Sequence, residues 1–303
     1  MTPRHVPVLE IGGTHVAAAL VDADVWRVVP DTGNRSALDA QGSVDEIVAS
    51  IVQAAGTLRP PDRSLWGVAI PGPFDYARGV ADYHGVGKFD ALRGYDLGGV
   101  LRRVLTAGTG SVRFVNDAEA FAVGEWVAGA AKGHTRMVGV TVGTGIGSAF
   151  LVEGRAQHHG PGVPPQGRLD LVQVAGRPLE ESVSRRAIRA RYAARTGGVD
   201  IARLDVREIV RRARTGDTHA SRAIDQSVRV LGRVVAPRTV DFGASVLVVG
   251  GSIALAWDVI GPPLRAGMKE AFPAWSRSFD VVPAERIEQA AFLGAAWHAL
   301  HRE

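Results

Sequence analysis

The sequence of 303 residues contains no cysteine. Structural disulfides, cysteine zinc sites and a thiol nucleophile are therefore excluded, and a reducing cytoplasm is the natural setting. No apolar run reaches the ~18 residues of a membrane span. The opening Met1-Thr2-Pro3-Arg4-His5 is not followed by the long apolar stretch of a signal peptide. A soluble protein without a membrane partner is expected. Lysine is scarce, represented only by Lys88, Lys132 and Lys269, so the 35 basic residues are almost all arginine. Their densest run, between Arg185 and Arg214, is interrupted by Asp200, Asp205 and Glu208, and Tyr192 is its only aromatic. Nucleic-acid surfaces more often interleave stacking aromatics. The run reads as a solvated helical face, and no nucleic-acid partner is expected.

What is present is apolar and glycine-rich. Hydrophobic residues make up 46% of the chain, enough for a well-packed core, and its length favours two domains. Val6 to Ile11, Gly12-Gly13-Thr14 and Val16 to Asp22 read as strand, glycine turn, strand. The same unit returns at Val138 to Val142, Gly143 to Gly147 and Ser148 to Val152. One recurrence at long separation suggests two related halves. Between the copies, a helix is expected over 44–57, a buried strand from Leu65 to Ile70 ending at Pro71-Gly72-Pro73, and an irregular excursion over 75–96. A helix follows at 97–105, then a strand at 112–115 ending in Asn116-Asp117. Asp117 is a good N-cap for a helix from Ala118 to about Ala128. Beyond the second copy, 155–178 reads as loop and 180–195 and 219–236 as helices. Val246 to Val249 is a strand ending in Gly250-Gly251-Ser252, with a helix from about Ile253. A short strand at 281–283 and a helix over 290–301 complete the pattern, which is α/β with two sheets.

Glycine loops bring backbone N–H groups close to one point and can hold phosphate. Neither loop carries the lysine of a Walker loop, and Gly143-Thr144-Gly145-Ile146-Gly147 lacks the Rossmann spacing and precedes a strand. Two ordinary hairpin turns are the alternative to a phosphate clamp. Their matching pattern and the third glycine pair at 250–251 favour the clamp, with Thr14 and Thr144 as hydroxyl donors.

These segments resemble the ROK sugar kinases of the actin-like, hexokinase-type superfamily over nearly the whole chain. Leu9-Glu10-Ile11-Gly12-Gly13-Thr14 resembles the first phosphate loop and Gly143 to Gly147 the second. Ala69-Ile70-Pro71-Gly72-Pro73 resembles the sugar-side turn, Val115-Asn116-Asp117-Ala118 the catalytic segment, and Val249 to Ala254 the adenosine segment. The resemblance implies two actin-like (ribonuclease H-like) α/β domains around a central cleft. The smaller would comprise 1–117 plus 288–303 and the larger 118–287. It implies ATP and Mg²⁺, with ATP at Gly12, Gly13, Thr14, Gly143, Thr144, Gly145, Gly147, Gly250, Gly251 and Ser252. Asp117 is the implied base. Gly72, Asn116, Asp117, Glu180 and His159 are the implied sugar contacts, and Glu10 the contact to magnesium. It also implies a cytoplasmic homodimer.

The chain departs from the family at three places. The first loop usually has Asp and Lys where this chain has Glu10 and His15. The cysteine zinc site cannot form, so no zinc is expected. The stretch 82–96 lacks the Asn and Trp of glucose-specific members and offers Lys88 instead, as a sugar or phosphate contact or a solvated side chain. An ATP-dependent hexose kinase is the leading reading. A catalytically weak sugar-sensing protein without a DNA-binding domain is the alternative.

Overall fold

Short apolar strands with both faces buried organise the first part of the chain. The computed structural model describes residues 4–60, 64–106, 110–197 and 204–301. β1 (His5–Ile11) and β2 (His15–Asp22) form an antiparallel hairpin, and β2 also pairs with β3 (Arg27–Val28) and β4 (Asn34–Ala37). α1 (Val44–Ala55) starts at a capping box, in which the Ser43 hydroxyl and the Glu46 carboxylate satisfy each other's backbone N–H. β5 (Leu65–Ile70) lies parallel to β1. The stretch read as irregular contains a small hairpin, β6 (Phe74–Asp75) with β7 (Val80–Ala81). α2 (Leu97–Thr106) leads to β8 (Ser111–Asn116), which is parallel to β5, and α3 (Asp117–Ala128) follows directly.

Alternation along β1 divides its side chains between two layers. Leu9 and Ile11 join Val16, Ala18, Ile47 and Ile51 on one face. Val6 and Val8 join Ala17, Ala19, Phe292, Leu293 and Ala296 on the other. The second layer is supplied by the last helix of the chain. Met1–Gly129 and Glu288–Glu303 thus form one unit, and Ala130–Ile287 forms another. The first unit extends beyond the boundary at 117 because α3 packs against that last helix.

The second unit repeats the plan. β9 (Arg136–Val142) and β10 (Ile146–Val152) form the antiparallel hairpin, extended by β11 (Arg155–Ala156). β12 (Gln173–Val174) and β13 (Arg177–Pro178) pair within the stretch read as loop. That stretch is anchored by the buried Leu169 and by Ser148, whose hydroxyl donates to Gly167 O and accepts from Leu169 N. α4 (Glu180–Val183), α5 (Arg185–Thr196), α6 (Val206–Arg214) and α7 (Thr218–Phe242) precede β14 (Val246–Gly250). α8 (Trp257–Ala271) then leads to β15 (Asp280–Pro283), and α9 (Ala290–Leu300) returns to the first unit. β9, β14 and β15 run parallel, so β10-β9-β14-β15 matches β2-β1-β5-β8 in order and direction.

The helices differ from the sequence reading in several places, α6 among them, which the sequence reading did not include. The helix expected over 180–195 breaks at Ser184, which is extended and caps α5 by accepting from Ala187 N. α7 runs through Pro237 instead of stopping before it, held by buried Val234, Val235, Thr239 and Phe242. α3 is capped by Asn116 rather than Asp117. Asn116 has the extended backbone of a cap, and its Oδ1 accepts from Ala118 N at 2.9 Å and Glu119 N at 3.3 Å.

Candidate active site

In the first unit, β1 and β2 are joined by Gly12-Gly13-Thr14. Gly12 N–H donates to His15 O at 2.8 Å and closes the turn. From behind, Leu38 N donates to Thr14 O and Ala40 N to Gly13 O. The N–H groups of Gly13 and Thr14 are left without a partner among the described residues, and Thr14 is exposed. Two consecutive free N–H groups at a glycine turn make an anion-binding concavity. A side chain on Gly12 would meet the His15 ring, with its Cβ only 2.9 Å from Cε1.

Parallel pairing of β1, β5 and β8 brings the ends of these strands to one edge. Glu10 lies near the end of β1, Ile70-Pro71-Gly72 at the end of β5, and Asn116-Asp117 at the end of β8. Asn116 Nδ2 donates to the Tyr76 hydroxyl at 2.9 Å, and that hydroxyl donates to Ile70 O at 3.3 Å. Gly72 sits beside both groups: a Cβ there would be 3.1 Å from the Tyr76 oxygen and 3.9 Å from Asn116 Nδ2. Tyr83, fully buried, donates to Pro71 O at 2.6 Å and supports the same turn. Sequence reasoning missed Tyr76, because nothing in its spacing marks a residue that reaches Asn116 across forty positions.

Electrostatics single out two carboxyls. Burial lifts Asp117 above the ordinary carboxylate range, opposed chiefly by the Lys88 charge and by the Ala118 N–H. Burial and the neighbouring Asp117 charge push Glu10 up from 4.5 to about 7, with Arg35 opposing. Burial, followed by the Arg35 charge, lowers His15. Glu10 and Asp117 thus form a repelling pair with basic groups at its margin.

In the second unit, the loop is narrower than read from the sequence. Gly143 N–H donates to Gly145 O at 2.9 Å, and the ladder resumes at Ile146 opposite Val142. Gly147 is therefore in β10, opposite Thr141, and not in the turn. The N–H groups of Thr144 and Gly145 have no partner among the described residues, and Thr144 is exposed, as Thr14 is in the first unit. Glu180 lies against this loop. Its Oε2 accepts from Ile146 N at 3.2 Å, and a Cβ on Gly145 would collide with that carboxylate. Gly250-Gly251-Ser252 is adjacent, since β14 pairs with β9. Gly251 adopts φ +82°, where its backbone packs on Val142, and Ser252 Oγ stands 4.0 Å from a Cβ built on Gly143. The two glycine segments of the second unit thus reduce to one locus around Gly143 and Gly251. His159 is exposed and makes no hydrogen bond to Glu180 or to the loop. Among the described residues no group of three or more His, Cys, Asp or Glu is arranged to hold a metal.

Two units of matching topology, each with an open glycine loop at the first hairpin, define an α/β protein of the actin-like, ribonuclease H-like class. A family model described as the ROK family matches residues 7–302, and the chain belongs to that family. It is 25% identical to a glucokinase of Thermotoga maritima, over 95% of each chain. It is 30% identical to an N-acetylmannosamine kinase of Salmonella arizonae, over 82% of this chain and 83% of that one. The structure of a ROK family glucokinase from Streptomyces griseus, in complex with glucose and AMPPNP, superposes with a TM-score of 0.79. That comparison covers 97% of this chain and 98% of the other, at 23% identity.

Proposed function

We propose that this chain is a sugar kinase, transferring the terminal phosphoryl group of ATP to a hydroxyl of a hexose or hexose derivative. The observation that carries the reading is the junction of β8 and α3. Asn116 performs the capping there, and the Asp117 carboxyl, close enough to Glu10 of β1 for their charges to interact, has its proton affinity raised by burial. A carboxylate tuned upward is a more effective acceptor for a hydroxyl proton near neutral pH.

Asp117 is the general base, taking the proton of the sugar hydroxyl as that oxygen attacks phosphorus. Asn116 has a second Nδ2 hydrogen for a sugar hydroxyl, while Tyr76 holds the first. Gly72 leaves the space for a ring beside them. Glu180 spends Oε2 on the second loop and offers Oε1 to another hydroxyl. Gly12, Gly13 and Thr14 hold one part of the phosphate chain and Gly143, Thr144 and Gly145 another. Gly250, Gly251 and Ser252 lie on the nucleoside side, and Gly147 keeps β10 in register behind the loop. Glu10 fits a magnesium contact, because a carboxyl raised by burial and by a neighbouring negative charge is relieved by a cation. Magnesium takes few protein ligands and fills its shell with phosphate oxygens and water. When bound, it neutralises phosphate charge. We place the enzyme in the cytoplasm as a homodimer, following the family resemblance. No helix among the described residues is long and apolar enough to cross a membrane.

ADP release measured over glucose, mannose, fructose, allose, N-acetylmannosamine and N-acetylglucosamine tests the reading. Sugar-dependent release is expected with at least one of them, and is expected to be lost in Asp117→Ala. No release with any sugar overturns the kinase reading, and undiminished turnover in Asp117→Ala removes Asp117 as the base.

A further inference from the structure

The segment 82–96 is folded back over the first glycine loop. Phe89 N donates to Ala40 O at 2.7 Å, and Gln41 Nε2 donates to Gly87 O at 2.7 Å. The Phe89 ring is fully buried against Tyr83, with centroids 5.2 Å apart. Gly85 and Gly87 take left-handed conformations on either side of the exposed Val86, so the turn projects while its base is fixed. Lys88 lies between that turn and the anchored Phe89. Its half-buried stem runs along the loop, with Cδ 3.8 Å from a Cβ built on Gly13. Among the described residues its ammonium has no ion-pair partner, yet it is the foremost positive charge acting on Asp117.

A lysine with a packed stem and a free head, placed between two free N–H groups and a carboxylate, is suited to an anion that arrives with the ligand. We infer that Lys88 is a further catalytic residue, whose ammonium contacts the terminal phosphate of the nucleotide held at Gly13 and Thr14. The inference rests on the kinase reading for its chemistry and on the loop geometry for its place. In the transfer, a sugar hydroxyl oxygen bonds to the terminal phosphorus and its proton passes to Asp117. The bond from that phosphorus to the bridging oxygen breaks, and its electron pair leaves with ADP. Lys88 stays protonated throughout and offsets the charge on the moving group, the role that fixed cations play in phosphoryl transfer.

The test compares nucleotides that differ in the terminal phosphate. Binding of AMPPNP and of ADP, each with magnesium, is measured by calorimetry on the wild type, Lys88→Met and Lys88→Arg. Lys88→Met is expected to weaken AMPPNP by about tenfold or more, the worth of one charge-assisted hydrogen bond, with ADP changed by less than about twofold. Lys88→Arg should retain most of the AMPPNP affinity. With a sugar that turns over, Lys88→Met should lower kcat by about a hundredfold. Equal changes for AMPPNP and ADP, or no AMPPNP binding by the wild type, overturn the assignment. A wild type that binds AMPPNP but phosphorylates no sugar sinks the kinase reading alone, and the affinity difference still decides the role of Lys88.

Discussion

Asn116 and Asp117 divide two tasks that neighbouring residues often share. The amide caps α3, and the carboxylate accepts from the backbone N–H groups of Ala118 and of Asp117 itself. Asp117→Asn should therefore lower kcat by about 10²- to 10⁴-fold, the range for loss of a general base. The melting temperature should not fall, because the cap survives and a buried charge is removed. Steady-state kinetics paired with thermal unfolding check this; a large loss of stability would show that Asp117 acts as a structural cap. The positions of both loops and of Asn116-Asp117 were legible in the sequence, because each sits where an apolar strand ends in glycine or a capping residue. The capping role of Asn116 was not, since Asn and Asp are near-equivalent caps and only backbone geometry separates them. Tyr76 and the placement of Lys88 were also hidden. Both belong to 75–96, whose course is set by contacts with distant Ala40, Gln41 and Asn116 rather than by any local period.

Among the elements, α3 and α9 approach closely through glycine. A Cβ on Gly124 would run into Ala290 O, and one on Gly294 into Ala120 O. Gly67 in β5 likewise receives the Ala295 carbonyl of α9. Gly294→Ala should destabilise the fold by about 1–3 kcal/mol through overpacking. Gly33→Ala, which meets nothing within 4 Å, should stay within about 0.5 kcal/mol. Urea denaturation of both variants checks the contrast, and equal effects would refute the packing argument. Helical spacing announced α9 in the sequence. Its partner did not, because a small residue at a crossing and a small residue in a turn look alike in one dimension. The same ambiguity hid Ser184 as a break between α4 and α5, whereas the passage of α7 through Pro237 was hidden because proline ordinarily ends a helix.

At the scale of the whole molecule, Glu10 links folding to pH. Its folded-state proton affinity exceeds its ordinary value, so the native chain holds a proton that the unfolded chain releases. The associated stability is complete below about pH 4.5 and is lost as pH rises through about 7. For a partly exposed carboxyl the loss is at most about 3 kcal/mol. Without ligand, the wild type should lose more stability than Glu10→Gln between pH 5 and pH 8, read from denaturant midpoints at each pH. Parallel profiles would show that Glu10 carries no such charge cost. The two-unit plan itself was legible because the hairpin–loop pattern recurs. The extent of the first unit was not, since α3 belongs with α9 through packing and not through any boundary signal.

That return of α9 has a consequence for how the chain is made. The sheet face formed by Val6, Val8, Ala17 and Ala19 is complete only when Phe292, Leu293 and Ala296 arrive. Synthesis delivers the entire second unit before them. On the ribosome the second unit has all its strands in hand while the first still shows an uncovered apolar face. The first-made portion of the protein is thus the last to be finished, and in that interval its uncovered apolar face is the surface most open to mispairing.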